Sequence, residues 1–330
     1  MKKIVGITVG DPAGIGAEIV VKALLNHDEI FDWCRPLVLA PVSVIEQTLS
    51  LLGCQHALRV VYSAEEVQKA VWPGKAWLVY ATPLVEPMPA YGAITAQGGQ
   101  MAFEAIRQAI ELARRKIISA VVTAPINKQS LKLGNVPFTD HTAMFKALTR
   151  SDSVMTLFMT GRLRIFFYSR HISFREIANA LDRERLVTTM EQAVGYLKRL
   201  GITRPKLGVA ALNPHGGENG LFGDEEVRII RPAVRLAQKK GLQVAGPIPA
   251  DSIFHLNLSG ELDAVLSLYH DQGHIAAKTY DFYGTVSLTM GLPFLRSSVD
   301  HGTAFDIAGR NKANERSLVE AIKIAAEYAW

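Results

Sequence analysis

Short apolar runs rich in β-branched residues alternate along this chain with longer stretches of helical periodicity. IVGITV (4–9), PLVLAP (36–41), AWLVYAT (76–82) and AVVTAP (120–125) each predict a buried strand. Helical patterns over 14–26 and 43–53 follow the first two. The strongest covers 97–116, where Met101, Ala105, Ile106, Ala109, Ile110, Leu112 and Ala113 form one apolar stripe. In the middle third, VMTLFMT (154–160) and LRIFFYS (163–169) flank Gly161-Arg162, the pattern of a hairpin. Helices are expected near 173–181, 183–200 and 224–240, strands at LGVAAL (207–212), AVLSLY (264–269) and TVSLTMG (285–291), and a last helix at 316–329. The polar, glycine-punctuated stretch 291–314 reads as a loop. This order predicts an α/β protein with mostly parallel sheets, as two α/β/α domains or one large α/β unit. The expected division is 1–137 plus 271–330 against 138–270, the chain leaving its first domain and returning to it.

Composition narrows the function classes. Apolar residues make up 48% of the 330 positions and the net charge is only +5, with no block of like charge. That gives little reason to expect nucleic acid and favours an anionic small substrate slightly over a cationic one. Cys34 and Cys54 form neither a disulfide framework nor a C-x-x-C motif. MKKIVGITVGDPAG reads as a first strand rather than a signal peptide, and no apolar run is long enough for a membrane span. A cytoplasmic protein is expected.

Candidate chemistry gathers at the predicted strand exits, where open α/β sheets bind ligands. GDPAGIG (10–16) lies between a strand and a helix. Gly14 and Gly16 would let a ligand approach the backbone and put an anion at the helix N-terminus, or they simply make a tight corner. TAPINK (123–128) and FTDHTAMF (138–145) offer Lys128, His141 and Thr142 to an anion. His171, His215 and His270 each follow a separate strand, so three imidazoles distant in sequence can share one divalent metal ion. Asp251 and Asp271 are nearby carboxylates. His270 and His274 have i, i+4 spacing, but Gly273 lies between them and a strand leads straight in. A helix over 270–274 is therefore expected to be poorly formed, leaving only His270 as a ligand. Arg296, in GLPFLRSSVDHGTAFDIAGRNKAN (291–314), could pair bidentately with a phosphate or carboxylate.

In order, and over nearly the whole chain, GDPAGIG, TAPINK, PFTDHTAMF, SRHISFREIANAL, LNPHGGENG, GPIPADSIF, LYHDQGH and LPFLRSSVDHGTAFDIAGR resemble the 4-hydroxythreonine-4-phosphate dehydrogenase (PdxA) family of vitamin B6 biosynthesis. The resemblance implies a fold like that of isocitrate and isopropylmalate dehydrogenases and a homodimer with shared active sites. It also implies NAD, with NADP an option, and a divalent ion (Zn, Mg, Co or Mn). The implied metal ligands are His171, His215 and His270, supplied from both subunits. The implied substrate contacts are His141, Thr142, Lys278 and Arg296, with Ser287 where the family has asparagine. HGTAFDIAGRNKAN is similar to an adenosine-binding loop, which together with GDPAGIG makes Gly14, Gly16, His301, Gly302, Ala304, Asp306 and Asn314 the cofactor candidates. Asp251 or Lys278 would act as the base. Other departures are Ala17 for proline, Asp140 for glycine and His274 for an apolar residue.

The activity so implied is oxidation, with decarboxylation, of a 4-phosphorylated hydroxy acid: 4-phosphohydroxy-L-threonine, 4-phospho-D-threonate or 4-phospho-D-erythronate. Ser287 and Asp140 leave the choice among these open. The alternatives are a dehydrogenase of a cyclic cis-diol carboxylate and a phosphotransacetylase-like acyl transferase.

Overall fold

A computed structural model describes residues 2–72 and 76–330. In chain order its strands are β1 (Ile4–Thr8), β2 (Arg35–Ala40), β3 (Leu58–Val61), β4 (Trp77–Ala81), β5 (Ala120–Thr123), β6 (Met155–Thr160), β7 (Leu163–Phe167), β8 (Leu207–Ala210), β9 (Val244–Ile248), β10 (Ala264–Ser267), β11 (Val286–Met290) and β12 (Leu295–Val299). The chain forms two compact units. The first runs up to Val154 and resumes from Val286 to Trp330; the second is Met155–Thr285. The units therefore divide about fifteen residues later than the sequence reading places the boundaries. Both divisions fall just before an apolar strand, β6 and β11, whereas the sequence reading cut at the polar motifs ahead of them.

In the first unit the strand order is β3-β4-β2-β1-β5-β12-β11. Every pairing is parallel except β11 with β12. The helix Ala96–Arg114 starts where Thr95 accepts a hydrogen bond from Gly98 N. All seven residues of its predicted stripe are buried, in one cluster with Leu37, Leu39 and Val121 apart from Met101. The terminal helix Arg316–Tyr328 packs on β12, β5 and β11 outside that cluster.

In the second unit the order is β6-β7-β10-β8-β9. The expected hairpin forms, with Thr160 opposite Leu163 and Gly161 at positive φ, and the remaining pairings are parallel. The chain is thus α/β, with mostly parallel sheets.

Besides the helix expected near 173–181, which is reduced to the 3-10 turn Phe174–Glu176, two expectations fail. Inside 291–314 the residues Leu295–Val299 are not loop but β12, with Leu295, Ser297 and Val299 on one face and Arg296 and Ser298 on the other. A charged residue in a fully buried strand hides the alternation that identifies strands. The second failure is at 270–274, where an α-helix runs His270–Tyr280 straight through Gly273. A Cβ on Gly273 would lie 2.5 Å from Phe167 Cε1 and 2.9 Å from Ile165 Cγ2. Glycine here brings the helix close to its sheet rather than breaking it. Gln272 fastens the first turn: its Oε1 accepts from Leu268 N at 2.7 Å and its Nε2 donates to the Ala211 carbonyl at 2.8 Å. Among the described residues, no helix is long and apolar enough to cross a membrane.

Candidate active site

In the first unit the strand register sets a row of polar side chains on one face. Thr8 pairs with Thr123, Thr123 with Ser298, Ser298 with Ser287, and Arg296 with Thr289. Paired residues point to the same side of a sheet, so all six share a face. Arg296 is only 4% exposed. Its Nε and Nη2 donate to Thr123 Oγ1 at 3.2 and 2.8 Å, and its Nη1 donates to Thr289 Oγ1 at 2.8 Å. The guanidinium carbon lies 5.3 Å from the Phe145 ring centroid. Burial pushes Arg296 down to about 10, still a cation at neutral pH, while the Asp140 carboxylate opposes that shift. Among the described residues no carboxylate forms an ion pair with it within 4 Å. A buried cation whose described hydrogen-bond partners are hydroxyls can accept an incoming anion.

His141 opens the helix His141–Thr149, with Thr142 beside it in the first turn. His141 hydrogen-bonds the Ala124 carbonyl, and its Nε2 is buried with no partner among the described residues. Burial, and then the charge of Arg296, hold its pKa well below the ordinary value, so the ring is neutral. Asp140 is the helix N-cap: Oδ1 accepts from Ala143 N at 3.0 Å, and Oδ2 accepts from the Thr139 hydroxyl at 3.2 Å. The Asp140 carboxylate is thus turned into its own helix terminus. Ser287, half-buried on β11, lies on the Arg296 face. Lys128 begins a separate short helix, capped by Asn127.

The glycines of GDPAGIG are filled by the chain itself. A Cβ on Gly14 would meet Thr303 Cβ at 2.9 Å, and one on Gly16 would meet the Val9 carbonyl oxygen at 2.0 Å. These glycines are explained by close packing, without a ligand against them. Ile15 N donates to the Thr303 carbonyl at 3.0 Å, so the 301–314 segment and the first loop are held together. The buried Glu18 accepts from Ala313 N at 2.9 Å, and Lys22, paired with Glu18 at 2.8 Å, donates to the Ala313 carbonyl at 2.8 Å. Along the segment, Gly302, Asp306 and Asn314 are exposed, Ala304 has φ 43°, and Asn314 Oδ1 accepts from Arg316 N at 2.9 Å. His301 Nδ1 faces the Gly302 carbonyl at 3.0 Å, and its Nε2 is buried without a partner among the described residues.

In the second unit His171, His215 and His270 follow β7, β8 and β10, which lie in the order β7-β10-β8 and run parallel. His171 and His270 come together, with ring centroids 6.0 Å apart, and line one cavity with Arg170, Tyr269 and Asp271. His270 Nδ1 is 2.6 Å from Asp271 Oδ1, so Nε2 is the ring nitrogen that could hold a metal. His215 sits in a run of left-handed residues, at φ 54°, with Nδ1 3.6 Å from Glu218. That turn is propped by the buried Glu226, whose Oε1 accepts from Leu212 N and Asn213 N at 2.8 Å each. Among the described residues no three His, Cys, Asp or Glu side chains of one chain are grouped to hold a metal. The fit is thus two imidazoles in place and a third apart from them.

His274 is stacked on His270. Lys278 continues the i, i+4, i+8 line of His270 and His274, with Nζ 5.0 Å from the Phe282 ring. Asp251 lies in the first turn of the helix Ala250–Ser259, exposed, and accepts from the Ser252 hydroxyl at 3.2 Å. Sequence reasoning missed Thr123 and Thr289 around Arg296, and Glu226 beneath His215. Hydroxyls at strand exits were the available signal for the first two; nothing local marked the third.

A sequence profile for the family described as "Pyridoxal phosphate biosynthetic protein PdxA" matches residues 32–325. A curated relative from Symbiobacterium thermophilum, provisionally named D-threonate 4-phosphate dehydrogenase, is 49% identical over 99% of this chain and 97% of its own length. A relative of the same provisional name from Halalkalibacterium halodurans is 45% identical with the same coverage. The crystal structure of 4-hydroxythreonine-4-phosphate dehydrogenase from Klebsiella pneumoniae superposes with a TM-score of 0.90 at 39% identity, covering 99% of this chain and 98% of that one. The chain belongs to the PdxA family and is a dehydrogenase acting on a hydroxyl group.

Proposed function

We propose that this dehydrogenase oxidises a 4-phosphorylated hydroxy acid, D-threonate 4-phosphate first among them, using NAD and a divalent ion. The observation that carries the reading is Arg296: a buried guanidinium whose described hydrogen-bond partners are all hydroxyls, in a chain of this family. D-threonate 4-phosphate is favoured because the relatives bearing that name are 49% and 45% identical, against 39% for the hydroxythreonine enzyme. Ser287 supports the same choice, since a hydroxyl cannot reproduce the reach or paired donors of the asparagine expected there.

Arg296, His141 and Thr142 hold the anionic ends of the substrate and orient the reacting carbon. His171, His215 and His270 hold the divalent ion (Zn, Mg, Mn or Co), with imidazoles drawn from two copies in a homodimer. A bound ion supplies Lewis acidity to the substrate hydroxyl. Lys278 or Asp251 would take the hydroxyl proton, and the Gly302–Asn314 segment would seat NAD (or NADP), whose chemistry would supply the hydride acceptor. The β-keto acid so formed loses CO2. Phe174, Leu221, Phe222 and Ile275 are exposed apolar side chains near the histidines in sequence, which fits burial against a second copy.

The test is a substrate panel read at 340 nm with NAD and added Mg, Mn, Co or Zn. It contains 4-phospho-D-threonate, 4-phospho-D-erythronate, 4-phosphohydroxy-L-threonine and a cyclic cis-diol acid. Highest turnover on 4-phospho-D-threonate is expected. Equal inactivity on all three phosphorylated acids defeats the proposal, and His215→Ala protein with full metal content defeats the three-histidine site.

A further inference from the structure

We infer that His274 is a positioning residue: a stacking platform that fixes the plane of the His270 imidazole and raises metal affinity without touching the ion. The inference rests on the proposed role of His270 as a ligand. The two rings are stacked, with centroids 3.5 Å apart and planes 11° from parallel. An imidazole lone pair lies in the plane of its ring. Parallel planes at this separation therefore aim the two rings side by side, and they cannot converge on one ion.

His274 is itself held on several sides. Its ring meets Phe158 edge-on at 4.4 Å and Phe167 at 4.8 Å. Both phenylalanines belong to the core of this unit, with Leu163, Ile165 and Ala277. Its Nδ1 donates to the His270 carbonyl at 2.8 Å. Gly273 lets the helix approach the sheet closely enough for these contacts. Core rings thus hold His274, and His274 holds one face of His270, while Asp271 holds its Nδ1 edge. The side chain of His270 is 39% exposed, so without the stack its ring would turn about χ2 in solvent. An aliphatic residue at 274 would fill the space but give no flat face parallel to the ring.

The experiment titrates Co2+ into metal-free full-length protein, followed by the visible absorption of bound cobalt, with the Tm of each metal-free variant measured alongside. His274→Leu is expected to weaken Co2+ binding about 10-fold, the lower end for removing a group that orients a ligand. His274→Phe and His274→Tyr keep a ring and are expected to restore most of the affinity. If the leucine variant does not fold, His274→Gln, polar but without a ring, takes its place in the comparison. Co2+ binding by the ringless variant equal to wild type overturns the stacking role and leaves the metal site standing. Phenylalanine and tyrosine variants as weak as the ringless one also overturn it, because the ring face would then not be what matters. His270→Ala protein that binds Co2+ as wild type does would remove both the proposed ligand and its platform.

Discussion

Arg296 in the first unit reaches Thr123 at the carboxyl end of β5, and His270 in the second follows the carboxyl end of β10, yet they are held in opposite ways. Arg296 lies within a strand, almost wholly buried, with Thr123 and Thr289 of the two flanking strands fixing three of its N–H groups. His270 begins a helix, is half-exposed, and is braced by its sequence neighbour and the ring one turn on. The difference follows from what each has to hold. A fixed guanidinium can be held by neutral hydroxyls, and the proposed substrate would bring the anion. A metal site needs several donors converging on a point, and this chain alone brings two of the three proposed imidazoles close. The first unit's cradle is complete within its own strands, whereas the second unit groups no three metal-binding side chains among the described residues.

The largest effect is expected at Arg296. Arg296→Met should cut kcat/KM for the phosphorylated acid about 1,000-fold, on the order of 4 kcal/mol for a buried charge partner lost. The same variant should keep or raise Tm, since it removes a buried charge that no described carboxylate pairs. Arg296→Lys should not rescue activity, because the ammonium cannot span both threonines. Unchanged kcat/KM in Arg296→Met would show that the cradle is not the anion site.

A smaller effect, in the other unit, tests the helix that carries His270. Gly273→Ala in an open helix would stabilise by about 1 kcal/mol. Here the added Cβ meets Phe167 and Ile165, so denaturant unfolding should show a loss of roughly 1–3 kcal/mol. A gain would mean that helix and sheet are less tightly apposed.

Next in size is the cap beside the cradle. Asp140→Ala should cost about 1 kcal/mol by thermal unfolding, and Asp140→Asn much less, because an amide oxygen still accepts from Ala143 N. Equal losses would assign the effect to charge near Arg296 instead.

The smallest expected effect is in pH. His141 is held neutral in the fold, whereas in the unfolded chain it takes a proton near pH 6.5. The unfolded state therefore binds more protons as pH falls below about 6.5, and the fold loses stability from there down to the depressed folded pKa. Against His141→Gln, wild-type Tm should fall more between pH 7 and pH 5; parallel curves would show that His141 is not a buried neutral base.

Most of the strands, and the stripe of the helix Ala96–Arg114, were legible because one buried face imposes a period that needs no knowledge of the partner. β12 was not legible. Arg296 and Ser298 read as loop residues until Thr123 and Thr289 are known to lie alongside. The 270–280 helix was misjudged for a related reason: glycine's helix penalty is local, but the space that Gly273 leaves is used by Phe167 and Ile165, a hundred residues earlier. The packing behind the GDPAGIG glycines was hidden in the same way, since Thr303 meets Gly14 from the far end of the chain.

The sequence by itself determined the α/β class, the discontinuous first unit, the family and the residue types fit for anion and metal chemistry, because periodicity and motif order are properties of the chain alone. The tertiary structure decided that Arg296 is buried among hydroxyls, that Asp140 serves its own helix, and that His274 faces His270 ring to ring. Each of these depends on a separation of a few ångströms between groups, and only the packed fold sets such distances.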